Sequence, residues 1–310
     1  MGLKNSKSST AGGVTTNDVT LKEKGVKSNK LVLLIIDPQN DFHPGGSLGV
    51  PGAIEDSQRT AAFIEKHIKD IDEIYVSLDT HHKLHIAHGP FWKNAEGESP
   101  APFTQITNQE ICDGKWVPRL DKHLEWAKQY TSALEAKGRY TLIIWPEHCI
   151  IGSNGHNVFP ALNDSLQKWS EANMKTISYS CKGMECLTEM YSAISAEVPL
   201  PDDPVNFKAE LYDGCVDTEK LVICGQALSH CVNFTVRDIH ARVVETGDLA
   251  ASNMYLLSDG MYILAVKHFY TMCLYGCDIY VHISYVYIVV HMPNSSWYDL
   301  FCSIVIGARI

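Results

Sequence analysis

From Leu31 to about residue 260, short apolar runs alternate with amphipathic stretches. Leu31 to Ile36 (LVLLII) is apolar without interruption, the pattern of a strand covered on both faces. Glu73 to Leu78 (EIYVSL), Tyr140 to Trp145 (YTLIIW), Lys175 to Tyr179, Glu219 to Gly225 (EKLVICG) and Tyr255 to Ser258 read as five further strands. Between them Ile54 to Ile68, Val158 to Ala172, Leu187 to Ala196 and Ser229 to Ala241 carry helical spacing, the last with Val232, Val236 and Ile239 on one face. Buried strands alternating with helices predict an α/β domain over residues 30–260, a parallel sheet with helices on both faces.

Three segments break this rhythm. Residues 1–29 are polar, rich in Ser, Thr, Gly and Lys, and read as a disordered tail. Their opening, Met-Gly-Leu-Lys-Asn-Ser, places Gly2 and Ser6 in an N-myristoylation pattern, and one such chain gives only weak membrane association. Residues 86–138 hold aromatics and prolines but no clear strand, and read as an insertion serving as a lid or a subunit contact. Residues 261–310 are apolar and aromatic, with only Lys267, Asp278, Asp299 and Arg309 charged, too few for a surface helix.

Composition narrows the partners. A formal net charge of -10 argues against nucleic acid, which needs basic surface. No apolar run reaches the roughly 18 to 20 residues that cross a bilayer. The ten cysteines form no CxxC pair, there is no signal-peptide pattern, and Cys149, Cys181 and Cys224 lie in or beside apolar runs, where free cysteine packs as a small hydrophobe. A reducing, cytoplasmic setting is expected.

Sites in parallel α/β sheets form at the carboxyl ends of strands, so the residues after each run carry the chemistry. Asp37 comes after the first run, Asp79-Thr80-His81 after the second, Trp145-Pro146-Glu147-His148-Cys149 after the third and Lys182-Gly183 after the fourth. Gly225-Gln226-Ala227-Leu228-Ser229-His230-Cys231 comes after the fifth and runs into a helix. Each residue alone has a structural explanation: Asp37 as a turn residue before proline, Cys231 as a packed thiol, Lys182 as a solvated lysine. Together they gather an acid, imidazoles, an amine and a thiol at one edge. Asp79 and His81, two apart at a strand end, point the same way and reach one ion with His148 from a neighbouring strand. Two imidazoles and a carboxylate suit Zn, Fe or Mn.

The segments IIDPQNDF, SLDTHHKLH, WPEHC, SCKGMECLTEMYSA and VICGQALSHCVNFTVRD resemble the isochorismatase-like cysteine hydrolases, and nicotinamidases in particular. The resemblance runs from about Leu31 to Gly260. It implies a Rossmann-like, six-stranded parallel sheet in the order 3-2-1-4-5-6. It implies a catalytic triad of Asp37, Lys182 and Cys231, and an oxyanion hole from the backbone N–H groups of Ala227 and Cys231 beside a cis peptide. It also implies an ion on Asp79, His81 and His148 that meets a pyridine nitrogen, and Phe42 and Trp145 on either side of the ring. His82, His85 and His88 read as supporting or solvated residues. His230 departs from the pattern, standing where nicotinamidases commonly have an aromatic residue.

The expected activity is a metal-assisted cysteine amidohydrolase converting nicotinamide to nicotinate and ammonia through a Cys231 thioester, using one divalent ion, zinc first, iron or manganese next. The partner is a small-molecule amide, and a homo-oligomer is expected. Other readings stay open: a metal-free carbamoyl or ureido amidase or another isochorismatase-like hydrolase on a larger amide, a non-catalytic membrane-associated scaffold, and an iron oxygenase using Asp79, His81 and His148 as a facial triad.

Overall fold

A computed structural model describes residues 30–136, 140–201, 207–257 and 260–261, together with strands at 279–282 and 287–290. In chain order the strands are β1 Leu31–Ile36, β2 Glu73–Asp79, β3 Trp92–Lys93, β4 Gln105–Ile106, β5 Val117–Pro118, β6 Leu142–Ile143, β7 Ser178–Lys182, β8 Lys220–Gly225, β9 Met254–Leu257, β10 Ile279–His282 and β11 Tyr287–Val290. The helices are α1 Ala53–Lys66, α2 Asn108–Cys112, α3 Leu124–Ala136, α4 Pro160–Asn173, α5 Ala209–Val216 and α6 Cys231–Thr246.

The main sheet runs β10-β11-β9-β8-β1-β2-β7. Its five strands β9, β8, β1, β2 and β7 are parallel, and β11 joins β9 antiparallel. β1 lies at the centre, and Val32 to Ile36 are at most 1% exposed. That burial on both faces explains why this run is apolar throughout. α1 and α4 pack on each other, with Glu65 of α1 accepting hydrogen bonds from Ser165 and Lys168 of α4.

The parallel sheet thus has five strands, not six, in the order 3-2-1-4-5 when they are counted along the chain. Tyr140 to Trp145 is the strand that does not join. Only Leu142–Ile143 is extended, and it pairs antiparallel with Gln105–Ile106. The place beside β2 is taken by β7, registered from Tyr75↔Ser178 to Asp79↔Lys182. The YTLIIW run is nevertheless largely buried, and its Ile144 and Trp145 N–H groups donate to the Thr104 and Ala87 carbonyls, both at 2.8 Å. A continuous apolar run reports burial and does not say which backbone it pairs with. β7 itself begins three residues later than expected.

Two further expectations are corrected. Leu187 to Ala196 forms no helix; it is a loop whose Met190, Tyr191, Ala193 and Ile194 are buried. Residues 86–136, expected to hold no clear strand, carry the short strands β3, β4 and β5, with β3 on β5 and β4 on β6, and the helices α2 and α3. α2 has a capping box, Thr107 accepting from the Glu110 N–H and Glu110 from the Thr107 N–H. The readings made for 1–29, Gly2 included, lie outside the described residues, as do those for most of 261–310. Among the described residues no helix is long and apolar enough to cross a membrane.

β8 ends on Gly225, which has φ +124 and pairs with Ile36 of β1. A Cβ there would stand 2.1 Å from the Ile36 carbonyl oxygen, which already accepts the Gln226 N–H at 2.8 Å. Gly225→Ala is therefore expected to destabilise the fold by about 2 kcal/mol or more, read as a lower urea midpoint with unchanged slope. An unchanged midpoint would show that the backbone here is not so confined.

Candidate active site

The carboxyl ends of the parallel strands meet at one edge of the sheet. Asp37 comes directly after β1 with φ +46, a left-handed turn that aspartate tolerates better than most residues. In β2, Ser77 and Asp79 are two apart and face the same side. The Ser77 hydroxyl donates to Asp37 Oδ1 at 2.6 Å, and Gln39 clamps the Asp79 backbone, accepting its N–H at 2.7 Å and donating to its carbonyl at 2.6 Å. Asp79 lies opposite Lys182 in the β2–β7 register. Cys231 is the first residue of α6.

Lys182 is the hub, with 1% of its surface exposed. Its Nζ lies 3.0 Å from Asp37 Oδ2 and 3.0 Å from Asp79 Oδ1, donates to the Met190 carbonyl at 2.9 Å, and stands 3.5 Å from Cys231 Sγ. The structure thus brings Asp37, Lys182 and Cys231 together. Burial alone would lower the Lys182 pKa, but the charges of Asp37 and Asp79 outweigh it and hold the ammonium well above its usual range. Burial raises Asp37, with Lys182 opposing and Asp79 reinforcing the shift. Burial also pushes the Cys231 thiol well up, since the nearby carboxylates offset the help of Lys182.

Beside the hub lies an imidazole cluster. Asp79 Oδ2 is 3.1 Å from His81 Nε2 and 3.2 Å from His148 Nε2. Burial opposes the Asp79 charge, but His81, Lys182 and the His148 hydrogen bond hold its pKa well below the carboxylate range. His88 joins them: nitrogens of His81, His88 and His148 all lie within 4.8 Å of one another. Burial, then the charges of His148 and His81, pushes His88 down to about 2, so its ring is neutral. Neither of its nitrogens makes a hydrogen bond of normal geometry among the described residues. A buried imidazole without a hydrogen bond of normal geometry is an unsatisfied polar group, and its gathering with His81 and His148, whose Nε2 atoms both meet Asp79, fits a divalent ion.

His88, read from the sequence as a supporting or solvated residue, lies in this cluster. His85 is not a member. Its Nδ1 accepts the Ala87 N–H at 3.2 Å, which leaves Nε2 to donate to the Thr188 carbonyl at 3.1 Å. Spacing within SLDTHHKLHIAH does not separate these two rings; their backbone partners do. Gly183, with φ +73, closes over the cluster, and a Cβ there would stand 2.8 Å from His81 Cε1.

A pocket opens beside Cys231, walled by Phe42, Leu48, Val50, Trp145, Tyr191, Ala227 and His230, with Asp79, His148 and Glu189 on its polar side. Phe42 meets the His148 ring edge-on at 5.6 Å, and Trp145 meets His230 edge-on at 5.3 Å while its Nε1–H donates to Tyr191 Oη at 2.9 Å. Phe42 and Trp145 therefore line the same slot. Burial lowers His230 to about 4, so a neutral imidazole faces the slot. The Gln226–Ala227 peptide is cis, and the Ala227 carbonyl accepts from the His230 and Val232 N–H groups at 3.0 and 3.2 Å.

Fold and site define the class: an α/β fold around a parallel sheet, with a buried Asp–Lys–Cys group next to an imidazole cluster. The nicotinamidase of Escherichia coli (strain K12) is 28% identical over 211 residues, 66% of this chain and 74% of that protein. Among solved structures, the nicotinamidase/pyrazinamidase of Acinetobacter baumanii is similar with a TM-score of 0.50 at 19% identity, covering 79% of this chain and 89% of that one. The yeast nicotinamidase is similar with a TM-score of 0.50 at 20% identity, covering 77% and 90%. The solved structures bear on the fold alone. No protein-family model matches the chain. The resemblance carried by the five motifs is borne out, and with it the reading of the chain as a hydrolase acting on an amide.

Proposed function

We propose that this chain is a metal-assisted cysteine amidohydrolase that converts nicotinamide and water to nicotinate and ammonia. The observation that carries the reading is the Lys182 hub, which joins the buried Asp37 to Cys231, a residue that lines the pocket together with Asp79 and His148 of the imidazole cluster. Cys231 Sγ attacks the carboxamide carbon as Asp37 takes the thiol proton. Asp37 then gives that proton to the departing nitrogen, which leaves as ammonia and creates a thioester. Water, deprotonated by Asp37, hydrolyses the thioester and the sulfur recovers its proton. Lys182 keeps the two carboxylates and the sulfur in register. The N–H groups of Ala227 and Cys231 receive the charge that develops on the carbonyl oxygen.

His81, His88 and His148, with Asp79 beside them, would hold the ion, zinc first and iron or manganese next, and the ion supplies a Lewis acid for a ring nitrogen. Phe42 and Trp145 flank the ring. A carbamoyl or ureido amide is the second reading, favoured by His230, whose imidazole offers a polar contact that an aromatic hydrocarbon wall lacks.

The test is ammonia release from nicotinamide, benzamide and an N-carbamoyl amino acid, with metal analysis of the same sample. Turnover of nicotinamide at the highest kcat/KM, with about one ion per chain, is the expected result. Preference for the carbamoyl substrate in metal-free protein would move the assignment to the second reading.

A further inference from the structure

The ammonium of Lys182 has three protons and, besides the two carboxylates and the Cys231 sulfur, donates to the Met190 carbonyl at 2.9 Å. Met190 lies in the loop after β7, which has no helix or strand of its own to hold it. Three of the groups that hold it come from residues 85–130. The Trp126 indole N–H donates to the Leu187 carbonyl at 2.7 Å. The His85 ring donates to the Thr188 carbonyl at 3.1 Å. Tyr130 Oη accepts the Glu189 N–H at 3.1 Å. Three consecutive loop residues are therefore pinned by three side chains from outside the loop. Trp126 and Tyr130 are four apart on α3 and share a face.

The last connection is made by Glu189 itself. Its Oε1 accepts the Met190 N–H at 2.9 Å, while its carbonyl accepts the Glu197 N–H at 3.0 Å. Glu189 and Tyr130 are both buried. Fixing the Met190 N–H fixes the residue whose carbonyl meets Lys182.

We infer that Tyr130 and Glu189 are positioning residues for Lys182, acting through Met190, and that α3 with the residues before it is a fixed buttress of the catalytic lysine instead of a lid that opens and closes. The inference rests on Lys182 serving Cys231 as proposed above. It predicts that the side-chain oxygen of Glu189 matters as a hydrogen-bond acceptor, and that its charge does not.

Three variants test this: Glu189→Ala, Glu189→Gln and Tyr130→Phe. Each is measured for kcat and KM with nicotinamide, for the rate of Cys231 alkylation by iodoacetamide at one pH, and for its denaturation midpoint. Glu189→Ala is expected to lower kcat roughly tenfold or more and to slow alkylation, with KM within about threefold of the parent. Glu189→Gln, whose amide oxygen still accepts the Met190 N–H, is expected to restore both to within a few-fold. Tyr130→Phe keeps the ring packing and is expected to lower kcat by a few-fold without raising KM.

Equal losses in Glu189→Ala and Glu189→Gln would overturn the inference, as would a rise in KM at constant kcat, which would make Glu189 a substrate contact. Unchanged alkylation in Glu189→Ala would overturn it as well. Alkylation needs no amide, so this arm still reads the lysine's placement if nicotinamide proves to be the wrong substrate.

Discussion

Cys231→Ala is expected to cut ammonia release by about three orders of magnitude or more while leaving the denaturation midpoint close to that of the parent. The sulfur is the only atom of the hub able to form the thioester, and replacing a thiol by a methyl leaves no charge unpaired. Denatured-state mass spectrometry after mixing with substrate is expected to show an acyl adduct on the parent and none on the variant. Retention of more than a few per cent of the rate would remove Cys231 from the mechanism.

Asp37→Asn is expected to be nearly as severe, because an amide cannot accept the thiol proton and the steps act as a unit. Lys182→Ala carries a second consequence. It leaves the Asp37 and Asp79 carboxylates buried, with their shared cation gone from 3.0 Å away on each side. Breaking such a buried group costs about 3 to 5 kcal/mol, so this variant is expected to lose stability as well as activity. Measuring the denaturation midpoint of both variants separates the two effects: a large fall in Lys182→Ala and a small one in Asp37→Asn is the expected pair.

The second large effect is expected at the imidazole cluster. His148→Ala removes a ring that lies 3.2 Å from Asp79 Oδ2 and faces the slot beside Phe42. Bound metal, measured on the purified protein, is expected to fall well below one ion per chain. KM for nicotinamide is expected to rise roughly tenfold or more, while benzamide, which has no ring nitrogen, changes little. His88→Ala is expected to show the same loss of metal, and His85→Gln a smaller one, since the His85 nitrogens are already engaged by Ala87 and Thr188. Equal loss for both amides would show that the cluster supports the site and does not select the ring. Full metal content in His88→Ala would return that residue to a supporting role.

Much of this architecture is legible in the chain because it depends on local pattern. LVLLII announces a central strand, since only burial on both faces favours six apolar residues in a row. Asp37, Asp79, Lys182 and Cys231 stand at or just beyond the ends of such runs, and parallel strands deliver those ends to one edge. Phe42, Trp145 and His148 enter through the motifs that carry the family resemblance.

Other features were decided only by the fold. YTLIIW is as apolar as a core strand, yet β7 pairs with β2 and leaves it outside the sheet. Apolarity encodes burial, whereas pairing depends on which backbone arrives at the strand edge. Leu187 to Ala196 has helical spacing, but its main-chain groups bond to Trp126, His85 and Tyr130 and no helix forms. His85 and His88 lie three residues apart in one histidine-rich stretch, and only the surrounding carbonyls and amides show that one ring is engaged while the other faces His81 and His148. Hydrophobic period and strand-end chemistry are properties of short stretches, so the sequence by itself determined the α/β plan and the main reactive groups. Partner choice at a sheet edge, the seating of a loop and the aim of a ring depend on residues tens to more than a hundred positions away, and only the tertiary structure decided them.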